Sequence, residues 1–542
     1  MQIKSYLNKY FNNKISARIS DFTMIIASAI ILVIFYNMRT VESRFFLYLE
    51  DHSAVKELNF LLEIVFNILT VIVFFLICSF NRIVLKSLLI VFFLLSTIYF
   101  YILKKFGIIF DEIMIANAFD SVGHVTEVLD YSIICYFMIL GAIPVFLIAR
   151  IKIYNFGNIR KIIAIGICII LIGVIYLFFP KRDFQRVSVI YSPINYAGSF
   201  YKYYNRFYKQ LKQTEHRVDL DKYYNFKYDK KIDNLNIVLI IGESLRADHL
   251  GFNGYRRNTT PNLEKISNLL KFVAAASFNT TTRSVSSMLS HRTKADFIDI
   301  PPEKSIVSVF KNLDFDSHWY SAQSSKEFGN GMLTAMAHEA DDYFFVDKIK
   351  TSLKVGEKTY DETLIPYLKE VLKNDNSNFI ILHSFGSHIR FSERYPKNFS
   401  IYQPECEHLP DSCKREEIEN SYDNSVLYTD YFISQVIDTI KDTNTILFYA
   451  SDHGIFLGED NIYANGNSNQ TESKVHQVPM FLYMTNSVLQ NKFYKNKFIN
   501  AKNQIASNKL SHDNLFDSIL DCSGIESDLL KRNLSICGRQ VK

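Results

Sequence analysis

NIVLIIGESLRADHLGFNGYRRNTTP, residues Asn236 to Pro261, opens with an apolar, β-branched run, Asn236-Ile-Val-Leu-Ile-Ile241, that stops at Gly242 and hands over to Glu243. Such a run predicts a buried strand that delivers a carboxylate to its carboxyl end, the place where open α/β sheets bind their ligands. Two later runs repeat the design. Asn378-Phe-Ile-Ile-Leu382 leads into His383-Ser-Phe-Gly-Ser-His388, and Thr445-Ile-Leu-Phe-Tyr-Ala450 leads into Ser451-Asp452-His453-Gly454. Each element alone reads more often as a helix cap or a surface group. Together they bring Glu, Asp and His to strand ends, a nitrogen and oxygen set suited to zinc.

The chain has 542 residues, too many for one ordinary domain, and its long apolar runs almost all precede residue 181. Five of them, centred on Thr23 to Tyr36, Phe60 to Phe80, Val84 to Leu103, Tyr131 to Ile148 and Ile162 to Phe179, predict membrane-spanning helices. No small-residue cleavage site follows the first, so it reads as an uncleaved anchor. Lys4, Lys9, Lys14 and Arg18 precede it, Arg82 and Lys86 lie between the second and third runs, and Arg150, Lys152, Arg160 and Lys161 lie between the fourth and fifth. The positive-inside rule makes these flanks cytoplasmic, outweighing Lys104, Lys105, Lys181 and Arg182, and places everything after Phe179 outside. Phe106 to Asp130 then forms an outer loop whose start reads as a short amphipathic surface helix. A net charge of +5 gives no nucleic-acid footprint.

The expected organisation is a transmembrane domain over 1–181, a Tyr-, Phe- and Lys/Arg-rich connector along the membrane surface over 182–229, and an outer catalytic domain over 230–542. In the outer domain, strand-like runs alternate with helical stretches such as Thr260 to Leu270 and Ile418 to Ile440, the pattern of a mostly parallel sheet covered on both faces. Of seven cysteines, Cys78, Cys135 and Cys168 lie in spans as packing residues, Cys406 and Cys413 flank a loop that a disulfide would close, and Cys522 and Cys537 offer a second bridge.

The runs GESLRADHLGFNGYRRNTTPNLEKI, TTTRSVSSMLS, HSFGSHIRFSERYP and SDHGIFLGEDNIY, behind five apolar spans, resemble the lipid A phosphoethanolamine transferases, the group that includes the mobile colistin-resistance enzymes. SDHG alone would indicate only the wider sulfatase and alkaline-phosphatase superfamily. The resemblance implies a five-helix transmembrane domain followed by an α/β sulfatase-like domain. It implies a threonine nucleophile at a helix start, Thr281 when Ser284-Val285 is set against the family's Ser-Val, with Thr280 and Thr282 as neighbouring registers. A hydroxyl needs a base or a metal to become nucleophilic, and a helix N-terminus offers N–H groups to a phosphate. The other reading of the segment is a Thr-rich helix cap.

The resemblance further implies that Glu243, Thr281, Asp452 and His453 hold one zinc, with a second possible during turnover. His388 and His476 would hold phosphoryl oxygens, assist proton transfer or bind a second zinc, Lys326 would contact the substrate, and His383, nearest its strand, would be structural. Asn117 and, if the loop Asp120-Ser-Val-Gly-His124 carries two extra residues, Glu127 would face the donor headgroup. The family's glutamate position itself holds Val125, and its cysteine pair around the nucleophile corresponds to Ser277 and Ser287. The implied reaction moves phosphoethanolamine from phosphatidylethanolamine to a cell-envelope acceptor, lipid A foremost, through a phosphoethanolamine-threonine. The enzyme would be a monomer in the bacterial inner membrane, N-terminus cytoplasmic and catalytic domain periplasmic. The alternatives are a phosphoglycerol transferase of the same superfamily and a catalytically silent, membrane-anchored lipid- or glycan-binding protein. Thr281-Thr-Arg, in place of a Cys-x-Pro-x-Arg-like context, argues against sulfate-ester hydrolysis.

Overall fold

The structure, a computed structural model, describes residues 18–36, 54–106, 115, 131–178, 194–205, 216–298, 301–323, 331–346, 359–459, 462–464, 474–505 and 510–538. The chain separates into two compact units, Met1–Ile115 with Leu129–Lys202, and Ala116–Val128 with Tyr203–Lys542.

In the first unit, Ser20 Oγ accepts the Thr23 N–H and starts α1, Asp21–Ile30, which runs on as a π-helix over Ile31–Phe35. The helices α2 (Ala54–Cys78), α3 (Arg82–Phe106), α4 (Ser132–Arg150) and α5 (Asn158–Phe178) follow. Among the described residues four helices, α2 to α5, are long and apolar enough to span a bilayer. The expected first span is shorter: 10 α-helical and 5 π-helical residues cover about 22 Å at ~1.5 Å per residue, against a hydrocarbon core of ~30 Å. The five-span expectation thus becomes four full-length helices and one short apolar one. The basic residues of one flank have structural work. Lys86 Nζ donates to the Ala149 and Ile151 carbonyls, and Lys161 is buried against Asp21 while donating to the Ser79 carbonyl. The strands Arg18–Ser20 and Lys152–Tyr154 pair in parallel beside them. Of the outer-loop expectation, only Phe106 and Ile115 fall within the described residues.

The second unit is built on one eight-stranded sheet: β1 Asn236–Gly242, β2 Leu269–Ala275, β3 Asp316–Ser321, β4 Asp342–Phe345, β5 Asn378–His383, β6 Thr445–Ser451, β7 Gln477–Met484 and β8 Leu510–Ser511, in the order β8-β2-β7-β6-β1-β5-β3-β4. The predicted strands β1, β5 and β6 lie side by side and parallel, and every one of their residues is buried. That burial on both faces is why they read as continuous apolar runs. The sheet is mixed rather than simply parallel, because β7 runs antiparallel to both β2 and β6. Ile241 pairs with His383 and Gly242 with Ser451. This register brings the carboxyl ends of β1, β5 and β6 to one level, so Glu243, Ser384 and Asp452 leave the sheet together.

Two expectations change. Thr260 to Leu270 is not a helix: the Asp430 carboxylate accepts the Asn262 and Leu263 N–H groups and holds one 3-10 turn, Leu263–Lys265, after which Leu269 and Leu270 enter β2. The end of the expected membrane-surface connector docks on the outer domain instead. Phe226–Tyr228 pairs with Ile525–Ser527, Leu220 is buried, and Tyr224, Phe226 and Tyr228 pack on the core. The sheet surface offers these rings the apolar contact that their sequence equally suits for a headgroup layer. The helix expected over Ile418 to Ile440 forms α7, Arg415–Ile440, after α6, Thr281–Met288, which follows β2. Both outer disulfides, Cys406–Cys413 and Cys522–Cys537, are formed, and Cys78, Cys135 and Cys168 are thiols.

Candidate metal centre

Glu243 follows Gly242, where a Cβ would sit 2.1 Å from the Tyr449 hydroxyl oxygen, so the strand can close on its neighbour only with glycine there. Ser244 then takes a left-handed backbone conformation, φ 58°. This is uncommon for a residue with a Cβ and is stabilised here by three hydrogen bonds. Its N–H donates to Asp452 Oδ1 (3.0 Å), its hydroxyl to Glu243 Oε1 (2.6 Å), and its carbonyl accepts the Tyr422 hydroxyl (2.9 Å). Asp452 Oδ1 also accepts the His453 N–H at 2.7 Å. Its other oxygen, Oδ2, is buried and accepts no hydrogen bond among the described residues.

His453 is fully buried, and its Nδ1 lies 2.8 Å from the Gly454 carbonyl. That bond fixes the tautomer: Nδ1 carries the proton, and the Nε2 lone pair faces inward. Nε2 lies 3.2 Å from Asp452 Oδ2, 3.5 Å from Glu243 Oε1 and 3.3 Å from the Thr281 hydroxyl, while that hydroxyl donates to Glu243 Oε2 at 2.9 Å. Glu243, Asp452 and His453 place one ligand atom each within 4.8 Å of one another, and no other such group occurs among the described residues.

Acceptor atoms packed this closely repel unless a proton or a cation sits among them. Burial, then the adjacent Glu243 charge, pushes Asp452 well above the usual carboxylate range. Burial pushes Glu243 the same way, but the imidazoles of His453 and His388 and the Ser244 hydroxyl bond outweigh it and hold Glu243 below the usual carboxylate range. Two buried carboxylates side by side cannot both ionise without a counter-charge. The donor set fits zinc: bonds of ~2.0–2.1 Å put tetrahedral neighbours about 3.3 Å apart, and the observed separations run from 2.9 to 3.5 Å.

Thr281 is the first residue of α6 and Thr280 its extended N-cap, whose side chain makes no capping bond. The cap reading of this segment therefore has no hydrogen bond behind it, and the hydroxyl at the cluster belongs to Thr281. His388 is half-buried at the end of the loop after β5, one residue past Ser387, whose N–H donates to the Glu243 carbonyl. His476 is buried on the turn before β7, and its carbonyl accepts the Ala276 N–H on the path to α6. Lys326, Asn117 and Glu127 lie outside the described residues. His383 is buried, pushed down to about 4 by desolvation and so neutral, against Ser321 and Gln323. It supports the site rather than joining it.

Gln323 and His512 escaped the sequence reading. The Gln323 amide donates to the Ser384 carbonyl (2.8 Å) and approaches Glu243 Oε2 at 3.3 Å. Its one sequence signal is a polar residue just past a strand, in Tyr320-Ser-Ala-Gln323. His512 accepts the Ser277 N–H (3.2 Å) and lies 2.9 Å from the Ser451 carbonyl, joining the approach to α6 to the end of β6. Nothing around it in sequence announces that role.

A hydroxyl at a helix start is set against a buried Glu, Asp and His at the ends of parallel strands, a group that could hold a metal ion on a sulfatase-type sheet. The Sulfatase family model matches residues 235–525, more than half of the chain, and the chain belongs to that family. A second model, Phosphoethanolamine transferase EptA/EptB, matches residues 68–208. The Kdo(2)-lipid A phosphoethanolamine 7''-transferase of Escherichia coli (strain K12) is 33% identical over 315 residues, 56% of this chain and 54% of that protein. The chain thus spans about half the length of this curated relative. Phosphatidylethanolamine transferase Mcr-1 of Escherichia coli is 26% identical over 478 residues, 84% of this chain and 86% of its own. The integral membrane lipooligosaccharide phosphoethanolamine transferase A of Neisseria meningitidis has the same fold, with a TM-score of 0.82 at 21% identity over 96% of this chain and 98% of that one.

Proposed function

We propose that the protein transfers phosphoethanolamine from phosphatidylethanolamine to an envelope acceptor, lipid A foremost, through a covalent adduct on Thr281. The observation that carries this reading is the Thr281 hydroxyl, 2.9 Å from Glu243 Oε2 and 3.3 Å from His453 Nε2 at the first turn of α6. The names of the relatives supply the substrate class.

Glu243, Asp452, His453 and Thr281 would hold zinc, which when bound acts as a Lewis acid that lowers the proton affinity of the hydroxyl and spreads phosphoryl charge. The remaining chemistry belongs to the chain. Thr281 Oγ1 gives its proton toward Glu243 Oε2 and forms a bond to phosphorus, and the bond from phosphorus to the diacylglycerol oxygen breaks. The first N–H groups of α6 face the phosphoryl oxygens. His388 and His476 supply a proton to the departing oxygen, and Lys326 holds the phosphoryl group. An acceptor oxygen then forms its own bond to phosphorus, and the bond to Thr281 Oγ1 breaks as that hydroxyl regains a proton. Two half-reactions let one site serve two lipids in turn.

The accompanying assignment is an inner-membrane monomer with its N-terminus in the cytoplasm: 1–181 in the membrane, 182–229 as connector whose Phe226–Tyr228 end packs on the catalytic domain, 230–542 in the periplasm, and Asn117 and Glu127 toward the donor headgroup. Thr281→Ala is expected to abolish transfer of labelled phosphoethanolamine while the protein stays folded and inserted. Intact-mass measurement of wild type given donor alone should find phosphoethanolamine on Thr281. A phosphoglycerol adduct, or full transfer by Thr281→Ala, would overturn the reading.

A further inference from the structure

The loop Ser384 to His388 is held by contacts that the metal ligands do not explain. On one side it is tied to the end of β1: the Ser384 N–H donates to the Ile241 carbonyl (3.0 Å) and the Ser387 N–H to the Glu243 carbonyl (3.0 Å). Gly386 has φ +50°, and a Cβ there would meet the Glu243 carbonyl oxygen at 2.7 Å, so this approach tolerates no side chain. On another side lies Asp361, 2% exposed, on a single turn after which α-helix runs from Ile365 to Val371. Its two oxygens accept the Phe385 N–H (2.6 Å) and the Gly386 N–H (3.0 Å). A third restraint is Arg394. Its guanidinium lies 4.1 Å above the Phe385 ring and donates to the Ile389 carbonyl (2.8 Å) and, more weakly, to the His388 carbonyl (3.3 Å). The Ser425 hydroxyl of α7 reaches the Ser387 hydroxyl at 2.9 Å.

A carboxylate buried to take two successive backbone N–H groups is costly to desolvate, and burial raises Asp361 to about 6 despite those bonds and Arg394. Asp361 and Arg394 grip the loop from its N–H side and its carbonyl side, and the residue at the end of the gripped turn is His388, next to Ser387, whose N–H donates to the Glu243 carbonyl. We propose that Asp361 and Arg394 form a two-sided clamp that sets the place of His388 beside the metal centre, Asp361 being the principal positioning residue. This rests on the reading of His388 as a participant in phosphoryl transfer.

Asp361→Asn tests it in the full-length, zinc-loaded protein in vesicles of phosphatidylethanolamine with lipid A. Asparagine keeps the shape but has one acceptor oxygen for two N–H groups, and its own amide opposes the second. The expected result is a 10- to 100-fold slower formation of the Thr281 adduct, the range seen when groups supporting a metal site are removed, with zinc content and donor KM within about twofold of wild type. Arg394→Lys, a milder change at the other jaw, should slow the same step several-fold. A positioning residue acts through its client, so Asp361→Asn added to His388→Ala should cost nothing beyond His388→Ala alone. Multiplicative loss in the double variant, or wild-type adduct formation by Asp361→Asn or Arg394→Lys, would overturn the clamp. If His388→Ala itself forms the adduct at the wild-type rate, the reading of His388 falls, and the clamp falls with it for that separate reason.

Discussion

The two units of this protein obey opposite burial rules. In the outer domain every residue of β1, β5 and β6 is buried, and the polar groups at their ends are buried as well. In the membrane unit, only 11% of the best spanning window of α4, and of α5, is buried inside the protein, and Leu177, Ile170 and Ile159 are 81%, 67% and 75% exposed. Lipid is the solvent for those side chains, so an apolar sequence there needs no partner within the chain. In the outer domain the same residues must find one another, which fixes register and, through it, the candidate metal centre. Charge shows the contrast from the other side. The membrane unit buries Lys161 against Asp21, whereas the outer domain gathers two carboxylates, Glu243 and Asp452, whose repulsion a proton or a cation must relieve.

The largest effect should come from the like-charge cluster. Asp452→Asn and Glu243→Gln are expected to lose bound zinc and at least ~10³ in transfer rate, about 4 kcal/mol in barrier. Because each also relieves carboxylate repulsion, chelation should lower the Tm of wild type more than that of Asp452→Asn. Equal shifts would break the comparison, as would full zinc occupancy in either variant.

Next in size is the opposite-charge pair. Lys161→Met leaves Asp21 buried without its cation and should cost ~3–5 kcal/mol, most of it recovered in Asp21→Asn/Lys161→Met. Proteolysis and thermal inactivation in detergent read this out; an unaffected single variant would show that water reaches Asp21.

The burial rules themselves are compared by one chemical change in two places. Ile381→Ala, in fully buried β5, should cost ~2–5 kcal/mol, whereas Ile170→Ala on the lipid-facing side of α5 should stay within ~0.5 kcal/mol. Similar costs would mean that α5 is covered by protein.

The smallest effect is confined to the outer domain and depends on pH. Burial raises Asp430 from 3.8 to about 6 although it accepts the Asn262 and Leu263 N–H groups. A folded-state value above the unfolded one favours the folded protein most below about 4, and that contribution is lost as pH rises through about 6. Asp430→Asn should flatten the dependence of Tm on pH across this window by one proton, up to ~3 kcal/mol in all. An unchanged slope would show that Asp430 does not titrate there.

Legibility followed the same divide. The spans could be read because length and hydropathy suffice where lipid is the solvent, and only the short first helix departed from expectation. Strands β1, β5 and β6 could be read for a related reason, since a strand covered on both faces is apolar throughout. Thr260 to Leu270 misled because its helix-like pattern is overridden by Asp430, a residue far away in the chain that caps one turn and frees the rest for β2. The antiparallel β7 was hidden, because strand direction leaves no mark on composition. Tyr224, Phe226 and Tyr228 misled because aromatic rings suit a headgroup layer and a sheet surface alike.

By itself the sequence determined the local chemistry: which stretches lie in lipid, where three buried strands stop, that Glu243, Asp452 and His453 wait at such ends, and that a threonine run follows another strand. Only the tertiary structure decided which hydroxyl meets the carboxylates, which histidine stands outside the cluster, and that Asp361, Arg394, Gln323 and His512 hold the rest in place. Those choices rest on strand register and on hydrogen bonds between residues up to a few hundred positions apart, and short-range pattern carries no information about either.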